Sequence, residues 1–352
     1  MKLLKKKDKK SKQKHKSWLK IRKSTLTFII LDIIALGGLF FAYGPVNYLR
    51  NLWITTAMTT MNHRYLAYVF YSDITVKSVL GSNYIVEVNE DVNLDDIVIG
   101  GSGDGTFSSE YEKEILTKDP GNDDYKIIPI KGSTYVGYLT AIYDPSKIDL
   151  AVTPDLGSKG LNVKKMCIKA DCLVGINGGG FQDLDGWGSG GIPDGALIQD
   201  GKILWTKGSY GNGLIGFNYD NKLILTYDSP EQAISDGMRD AVEFGPFLII
   251  NGKGATIVGN GGAGLQPRTA IAQRKDGIVL FLIIDGRSPG YSLGATYNDV
   301  ISILLKYGAH NAANLDGGAS TTMAVKGQLY NKPFVGQDIE GRYVADAWLL
   351  LK

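Results

Sequence analysis

Residues 267–285 read PRTAIAQRKDGIVLFLIID and contain two runs of strand-forming residues. The runs are joined by Lys275-Asp276-Gly277, a turn sequence that accepts the backbone angles of a tight hairpin. The uninterrupted apolar run IVLFLII at 278–284 is typical of a buried strand. The stretch therefore predicts a β-hairpin in the core of a domain, with Asp285 at the end of the second strand.

The same alternation of short strands and turns continues on both sides of this hairpin, over residues 125–352. Further hairpins are predicted around Asp200-Gly201 in ALIQDGKILW and around Asp220-Asn221 in IGFNYDNKLILTY. Three helices are predicted to interrupt the strands, at LNVKKMCIKA (161–170), SPEQAISDGMRD (229–240) and TYNDVISILLKYG (296–308). The pattern predicts an α+β domain with a mixed, mainly antiparallel sheet and a few helices.

The first 45 residues differ from this domain in charge and hydropathy. Residues 1–23 carry twelve basic residues and one acidic residue, a net charge of +11, whereas residues 24–352 carry 26 basic and 35 acidic residues, a net charge of −9. Residues 26–44 are apolar except for Asp32 and would span roughly 28 Å as a helix. We predict a basic cytoplasmic tail at 1–23 and one transmembrane signal anchor at 24–45. The positive-inside rule then places the rest of the chain outside the cell, with the lipid bilayer as a partner.

Residues 46–124 separate the apolar run from the domain. Up to residue 80 the apolar positions are partly at helical spacing, and residues 81–124 are acidic and rich in glycine and asparagine. We predict a juxtamembrane stalk and linker here, followed by the functional domain at 125–352. A basic tail on an acidic body is unlike a nucleic-acid-binding domain, and no nucleic-acid partner is expected.

The chain has two cysteines, Cys167 and Cys172. In an exported protein they can form one small disulfide loop, and as two buried thiols beside a strand they need no bond. Their spacing, without a nearby histidine or a second pair, is a poor metal site. We expect neither a metal ion nor another cofactor.

Three glycine-flanked polar clusters each follow an apolar strand. Asn177 is followed by Gly178 and Gly179 in LVGINGGGFQD, and Asp285 by Arg287 in FLIIDGRSPGYSLG. Asp316 ends a third strand in NAANLDGGASTTM, which also contains Gly317, Gly318, Ser320 and Thr321. A strand fixes such a side chain, and glycines let a ligand approach the backbone. The three clusters together predict a shared site, with Arg268 of LQPRTAIAQ at its edge.

The sequence lacks the motifs of several classes of enzyme, which disfavours these classes. Three histidines occur, His15, His63 and His310, and no G-x-S-x-G sequence accompanies them, which disfavours a Ser-His-Asp hydrolase. The sequence lacks an HExxH zinc motif and the GK[ST] ending of a phosphate loop.

The clusters bring out a resemblance to a known family. INGGGF, the P-x-G of IPDGALIQDGK, FGPFLIINGK, PRTAIA, DGR..GYSLGAT and NAANLDGGASTTM occur in this order. Over about residues 130–352 the chain resembles the phosphodiester glycosidases. One departure concerns the turn after Asn177, where the family often has N-G-x-F-F and this chain has a single phenylalanine, Phe181, followed by Gln182.

The resemblance implies hydrolysis between the anomeric carbon of a sugar and a phosphodiester oxygen. Asp316 or Asp285 is then expected to act as nucleophile or as base for water, and Arg268 and Arg287 to hold the phosphate. Asn177, Gly178, Gly179, Gly317, Gly318, Ser320 and Thr321 are the other expected substrate-binding residues. The substrate expected for an exported member is a cell-surface polysaccharide or a polymer like teichoic acid.

Two other functions are compatible with the residues. One is a non-catalytic, membrane-tethered module that binds glycan or cell wall through the same pocket. The other is a metal-dependent phosphodiesterase that uses Asp183, Asp285 and Asp316.

Overall fold

The computed structural model of the chain describes residues 23–44, 47–60, 63–100, 107–183, 188–206, 211–334 and 340–352. The chain divides into two compact units, residues 1–50 and 51–352. A helix, Lys23–Tyr43, occupies most of the predicted anchor. No helix in the ranges described above is long and apolar enough to cross a membrane. The predicted transmembrane helix at 24–45 is therefore not supported.

The helices of the described residues are mostly short. They are α1 Lys23–Tyr43, α2 Asn47–Met58, α3 Tyr65–Phe70, α4 Asp73–Gly81, α5 Glu110–Leu116, α6 Val163–Ala170, α7 Pro230–Ser235 and α8 Tyr297–Lys306, with 3-10 turns at Leu94–Asp96, Pro145–Lys147 and Gly318–Ser320.

The strands account for most of the second unit. They are β1 Tyr84–Val86, β2 Tyr125–Lys131, β3 Val136–Ile142, β4 Ile148–Val152, β5 Leu161–Asn162, β6 Val174–Asn177, β7 Leu197–Gln199, β8 Lys202–Trp205, β9 Gly213–Asn218, β10 Leu223–Thr226, β11 Met238–Phe244, β12 Phe247–Ile250, β13 Lys253–Gly254, β14 Thr256–Val258, β15 Arg268–Arg274, β16 Val279–Ile284, β17 Ala309–Leu315, β18 Met323–Val325, β19 Gln328–Leu329, β20 Tyr343–Val344 and β21 Asp346–Leu350.

Three larger sheets build the domain. Their strand orders are β13-β12-β17-β15-β16-β3-β2, β19-β18-β6-β21-β4 and β10-β9-β11-β7-β8, and two-stranded ribbons join β1 to β14 and β5 to β20. Every strand pairing within the described residues is antiparallel. The predicted α+β class is confirmed.

The seven-stranded sheet is covered on both faces, which explains the continuous apolar run in β16. Phe281 and Ile283 belong to a core shared with the other two sheets, where Trp348 is fully buried. Leu280 and Leu282 face the opposite way and share a second core with α8. Alternate residues of a strand point to opposite faces, so a sheet packed on both sides needs apolar residues at every position.

The three predicted hairpins are confirmed as β7–β8, β9–β10 and β15–β16. Asp200, Asn221 and Gly277 all have positive φ in their turns. The helix predicted over 229–240 is shorter and ends at Ser235, because Gly237 has a φ of +95° and β11 begins directly after it.

Part of the predicted stalk and linker belongs to the folded domain. Residues 51–124 lie in the second unit, where β1 pairs with β14 and the Val98 N–H donates to the Lys275 carbonyl at 2.8 Å. Thr55 Oγ1 accepts a hydrogen bond from Asn260 Nδ2 at 2.9 Å. The domain therefore starts well before residue 125, since strand pairing and polar contacts attach residues 51–100 to it.

The two cysteines form a disulfide, Cys167–Cys172, with a Cα–Cα distance of 4.8 Å. Both are buried where the end of α6 meets the start of β6. Of the two states that the sequence allows, the structure has the bonded one.

Candidate active site

The site is built around Asp316, which directly follows β17. Its N–H donates to the Gly178 carbonyl at 3.1 Å, and its own carbonyl accepts a hydrogen bond from Asn177 Nδ2 at 2.7 Å. The backbone of Asp316 is thus held on both sides by the turn that follows β6, and the residue as a whole is partly exposed.

The side chain of Asn177 links several strands through hydrogen bonds. Its buried Oδ1 accepts hydrogen bonds from Thr269 Oγ1 at 2.9 Å and from the Thr322 N–H at 3.1 Å. Together with its bond to Asp316, these contacts join β6, β15, β17 and the segment before β18. The structure brings Asn177 and Asp316 together as predicted. The side-chain amide of Asn177, however, holds Asp316 in place, and its nitrogen and oxygen are both hydrogen-bonded to protein groups.

Burial raises the pKa of Asp316 to about 6. Hydrogen bonds from Ser320 and from the Gly317 N–H oppose this rise, as does the positive charge of Arg342, whereas the charge of Asp194 adds to it. Near neutral pH the carboxyl is close to its titration point, where a group can exchange protons in either direction.

A second carboxyl, Asp346, lies behind Asp316 and is missing from the predicted site. It begins β21 and is 1% exposed, and its Oδ1 accepts a hydrogen bond from the Gly179 N–H at 2.7 Å. Burial, followed by the charge of Asp316, raises its pKa to about 7. A Cβ at Gly178 would collide with the same Oδ1 atom, so a glycine is required there for the carboxyl to fit.

The order of strands explains how Asp346 reaches the site. β21 runs antiparallel to β6, with Ala347 opposite Asn177. The start of β21 therefore lies beside the end of β6. Asp346 begins a strand, so it lacks the pattern of an acid that follows a strand and precedes a glycine, on which the sequence prediction rests.

Asp194 completes the acidic side of the site. Its pKa is raised by burial and by the charge of Glu243, and it interacts with Asp316 electrostatically. Its Oδ1 atom is buried and has no hydrogen-bond partner among the residues that the structure describes. Asp194 belongs to the IPDGA segment and is not among the site residues that the sequence predicts.

Arg287 and Arg342 supply positive charge near Asp316. Asp316 raises the pKa of Arg287, but burial and the charges of Arg268 and Arg342 lower it overall. Arg287 Nη2 lies 3.1 Å from where a Cβ of Gly318 would stand, so this glycine gives the guanidinium room beside the turn. Arg287 has a φ of 55°, an unfavourable angle for a residue with a side chain, and such strain is concentrated at functional sites.

Arg268 is not placed like Arg287. It is buried, and its Nε and Nη2 atoms donate to the carbonyls of Ala295, Ala263 and Gly264 at 3.0–3.3 Å. Its guanidinium also lies 4.2 Å from the centre of the Tyr297 ring. These contacts brace the glycine-rich loop. Arg287 is the better placed of the two predicted phosphate ligands because it is less buried and its charge interacts with that of Asp316.

Asp285 and Asp316 follow strands that end on the same side of the sheet, but these two strands are not neighbours. β15 runs between them, with Arg268 opposite Ile284 and Thr269 opposite Leu315. Two strand spacings correspond to roughly 9–10 Å. The two acids that the sequence offers as nucleophile or base therefore end strands that are separated by a third one.

The carboxylate of Asp285 is occupied by a neighbouring loop. It accepts hydrogen bonds from Asn331 Nδ2 at 2.8 Å, from the Lys332 N–H at 3.1 Å and from the Tyr291 hydroxyl at 2.9 Å. Burial nevertheless raises its pKa. This arrangement gives Asp285 the role of anchoring residues 331–332 beside the site.

The turn after Asp316 uses its backbone groups internally. The N–H groups of Gly318, Ser320 and Thr321 donate to the carbonyls of Pro267, Gly317 and Gly318. These three N–H groups, of the predicted substrate-binding residues Gly318, Ser320 and Thr321, are therefore not free to bind an oxyanion. Ser320 acts instead on Asp316 through its side chain, and Thr321 Oγ1 lies 3.4 Å from Thr269 Oγ1.

The residues of the proposed metal alternative are dispersed. Asp183 Oδ2 pairs with Arg342 at 2.7 Å, and Asp285 is held by residues 331–332. Within the described ranges no group of three or more His, Cys, Asp or Glu residues is arranged to hold a metal ion.

The chain is similar to known proteins over the residues that build this site. The family model "NAGPA: Phosphodiester glycosidase" matches residues 170–351. The SPbeta prophage-derived uncharacterized protein YomE of Bacillus subtilis (strain 168) is 33% identical over 178 residues, which cover 48% of this chain and 27% of that protein. The mouse N-acetylglucosamine-1-phosphodiester alpha-N-acetylglucosaminidase is 23% identical over 233 residues, covering 58% of this chain and 42% of the mouse enzyme.

A solved structure shares the fold. The catalytic domain of the zebrafish N-acetylglucosamine-1-phosphodiester alpha-N-acetylglucosaminidase, auto-inhibited by its pro-peptide, superposes with a TM-score of 0.53 at 21% identity. The match covers 65% of this chain and 82% of the zebrafish chain. The chain spans less than half the length of the curated relatives described above.

Proposed function

The chain belongs to the phosphodiester glycosidase family, and from this premise we propose that it hydrolyses the bond between the anomeric carbon of a sugar and a phosphodiester oxygen. The products are the free sugar and a phosphomonoester. The observation that carries the proposal is the position of the partly exposed Asp316, which has the buried carboxyl of Asp346 behind it and the charges of Arg287 and Arg342 nearby.

In the proposed reaction, water attacks the anomeric carbon and the bond from that carbon to the phosphate oxygen breaks. The electron pair leaves with the phosphate, and Asp316 accepts the proton that the water loses. A phosphomonoester with a second pKa near 6 is a stable leaving group and needs little protonation. Arg287 offsets the negative charge that develops on it.

Asp346 acts as a positioning residue that controls the charge of the site. Asp316 must be ionised to accept a proton, so kcat/KM rises as the pH passes about 6. Above a pH of about 7 the ionised Asp346 adds a second negative charge, which disfavours a phosphodiester anion. The proposal predicts a bell-shaped profile of kcat/KM with limbs near these two values.

The test uses the purified full-length chain and a panel of sugar-1-phosphate methyl diesters, with release of free sugar as the readout. Asp316→Asn should lower kcat/KM at least about 100-fold without lowering the unfolding midpoint. Asp171→Asn is the matched control: this exposed aspartate follows α6 with a φ of 51°, which asparagine also tolerates. Undiminished turnover by Asp316→Asn would refute the mechanism. Glycan binding without turnover of any diester would indicate the non-catalytic module instead.

We propose further that the natural substrate is a cell-surface glycan that carries a sugar-1-phosphodiester, and that the domain acts outside the cytoplasmic membrane. The Cys167–Cys172 disulfide supports this location, because disulfides persist in oxidising compartments. Incubation with purified wall polymers, followed by analysis for free sugar and new phosphomonoester groups, tests the substrate.

A further inference from the structure

A cleft of about 340 Å³ lies beside Arg287, on the side formed by the predicted stalk. Trp53, Ala57, Leu66 and Phe334 give it a largely apolar lining. The polar groups of the lining belong to Thr56, Thr60, His63 and Arg287. Its volume is at the lower end of the range for small-molecule sites, about 300–1,000 Å³. No part of the proposed reaction uses this space.

The wall of the cleft is attached to Arg287 through one side chain. Gln266 Oε1 accepts hydrogen bonds from Arg287 Nε at 2.9 Å and Nη2 at 2.6 Å. The Nε2 atom of the same glutamine donates to the Thr56 carbonyl at 3.0 Å and to Thr59 Oγ1 at 2.9 Å. The α2 wall, the arginine and the glycine-rich loop therefore form one connected structure.

The position of Arg287 sets the direction in which a diester would lie. The arginine borders the Gly318 turn and feels the charge of Asp316, and it also lines the cleft. A phosphate on Arg287 with its sugar towards Asp316 therefore has its second ester group at the cleft. The ring of Phe334, 5.5 Å from the guanidinium, lies where that group would pass.

We propose that this cleft is a subsite for the second ester group of the substrate, and that the group it takes is an apolar alkyl or aryl group. The inference rests on the proposed function and specifies its substrate class: a sugar-1-phosphodiester whose other alcohol is apolar near the phosphate. Trp53, Leu66 and Phe334 can bury such a group, because their apolar atoms make up most of the exposed lining of the cleft.

The experiment compares methyl, butyl and octyl diesters of the sugar 1-phosphate that the full-length chain hydrolyses. Burial of each added methylene group should raise kcat/KM about two- to fourfold until the cleft is full. In Ala57→Phe, which fills the cleft, and in Phe334→Ala, which removes one wall, the octyl-to-methyl ratio should fall towards one. Tyr219→Ala, an exposed turn residue, is the control and should keep the wild-type ratio.

A binding measurement separates this proposal from the proposed function. In calorimetry, the wild type should bind octyl phosphate more tightly than methyl phosphate. In Phe334→Ala this preference for octyl phosphate should be smaller. Turnover with equal kcat/KM along the series, or equal binding of the two phosphates, would overturn the subsite. Absence of turnover together with selective octyl phosphate binding would refute the hydrolase and retain the subsite.

Discussion

Replacement of Asp346 by asparagine should stabilise the protein at neutral pH, and the size of the effect can be worked from the structure. The pKa of this carboxyl rises from an ordinary 3.8 to about 7, a difference of about 3 pH units. Each unit corresponds to about 1.4 kcal/mol, so the ionised carboxylate costs the folded state up to about 4 kcal/mol. The amide introduced by Asp346→Asn would keep an oxygen for the Gly179 N–H without ever carrying that charge.

The sign of the pH dependence follows from proton binding. Below the unfolded pKa of 3.8 the carboxyl is protonated in both states and the cost is absent. As the pH rises from there to about 7, the unfolded chain releases its proton before the folded chain does, and the free energy of unfolding of the wild type falls. The stability gain of Asp346→Asn should therefore be small at pH 4 and complete above about pH 7.

Urea unfolding of both proteins, followed by tryptophan fluorescence from pH 4 to 8, measures this difference. Asp240→Asn is the matched control with the opposite sign. Asp240 is equally buried, but its Oδ2 pairs with Arg239 Nε at 2.6 Å, so its loss should cost about 1–3 kcal/mol. In assays of turnover, Asp346→Asn should remain active and lose the alkaline limb of the profile. Parallel stability curves for wild type and variant would refute the raised pKa of Asp346.

Three further predictions test the surroundings of the site. Asp285→Asn should lower the free energy of unfolding by about 1–3 kcal/mol through its lost loop contacts, and reduce kcat/KM far less than Asp316→Asn does. Arg287→Lys should impair turnover, because an ammonium group cannot keep the two bonds to Gln266 Oε1 that hold the cation near Asp316, whereas Arg268→Lys should mainly lower the thermal midpoint; equal kinetic effects would contradict this assignment. Protease added to intact, wall-stripped cells should reach residues 51–352, and full protection would exclude the extracytoplasmic location.

The sequence was informative wherever local chemistry decides the structure. The Lys275-Asp276-Gly277 turn and the apolar run after it predict the β15–β16 hairpin, because turn angles and strand burial depend on adjacent residues. The end of the helix after Ser229 was less predictable. There, Gly237 and the sheet contacts of β11 stop a helical pattern that the residues alone would extend to 240.

The boundary of the domain could not be found from composition. Residues 51–124 are poor in long apolar runs, but their role depends on partners more than 150 residues away in the chain. Thr56 and Thr59 meet Gln266, and β1 meets β14. Such contacts leave no periodic pattern, so a segment that carries one wall of a cleft resembles a linker in sequence.

The candidate active site illustrates the same limit more sharply. Asp316 was predictable, because an acid that follows a buried strand and precedes two glycines emerges at a sheet edge. Asp346 reaches the same place from the opposite direction, since antiparallel pairing with β6 brings the start of β21 to the end of its neighbour. Only the strand order shows that Asp346 of VADAWLL lies near Asp316 of NLDGG. The same order places β15 between the strands that end before Asp316 and Asp285. Strand order thus decides which carboxyl interacts with Asp316, and through that choice it sets the pH range in which Asp316 can accept a proton.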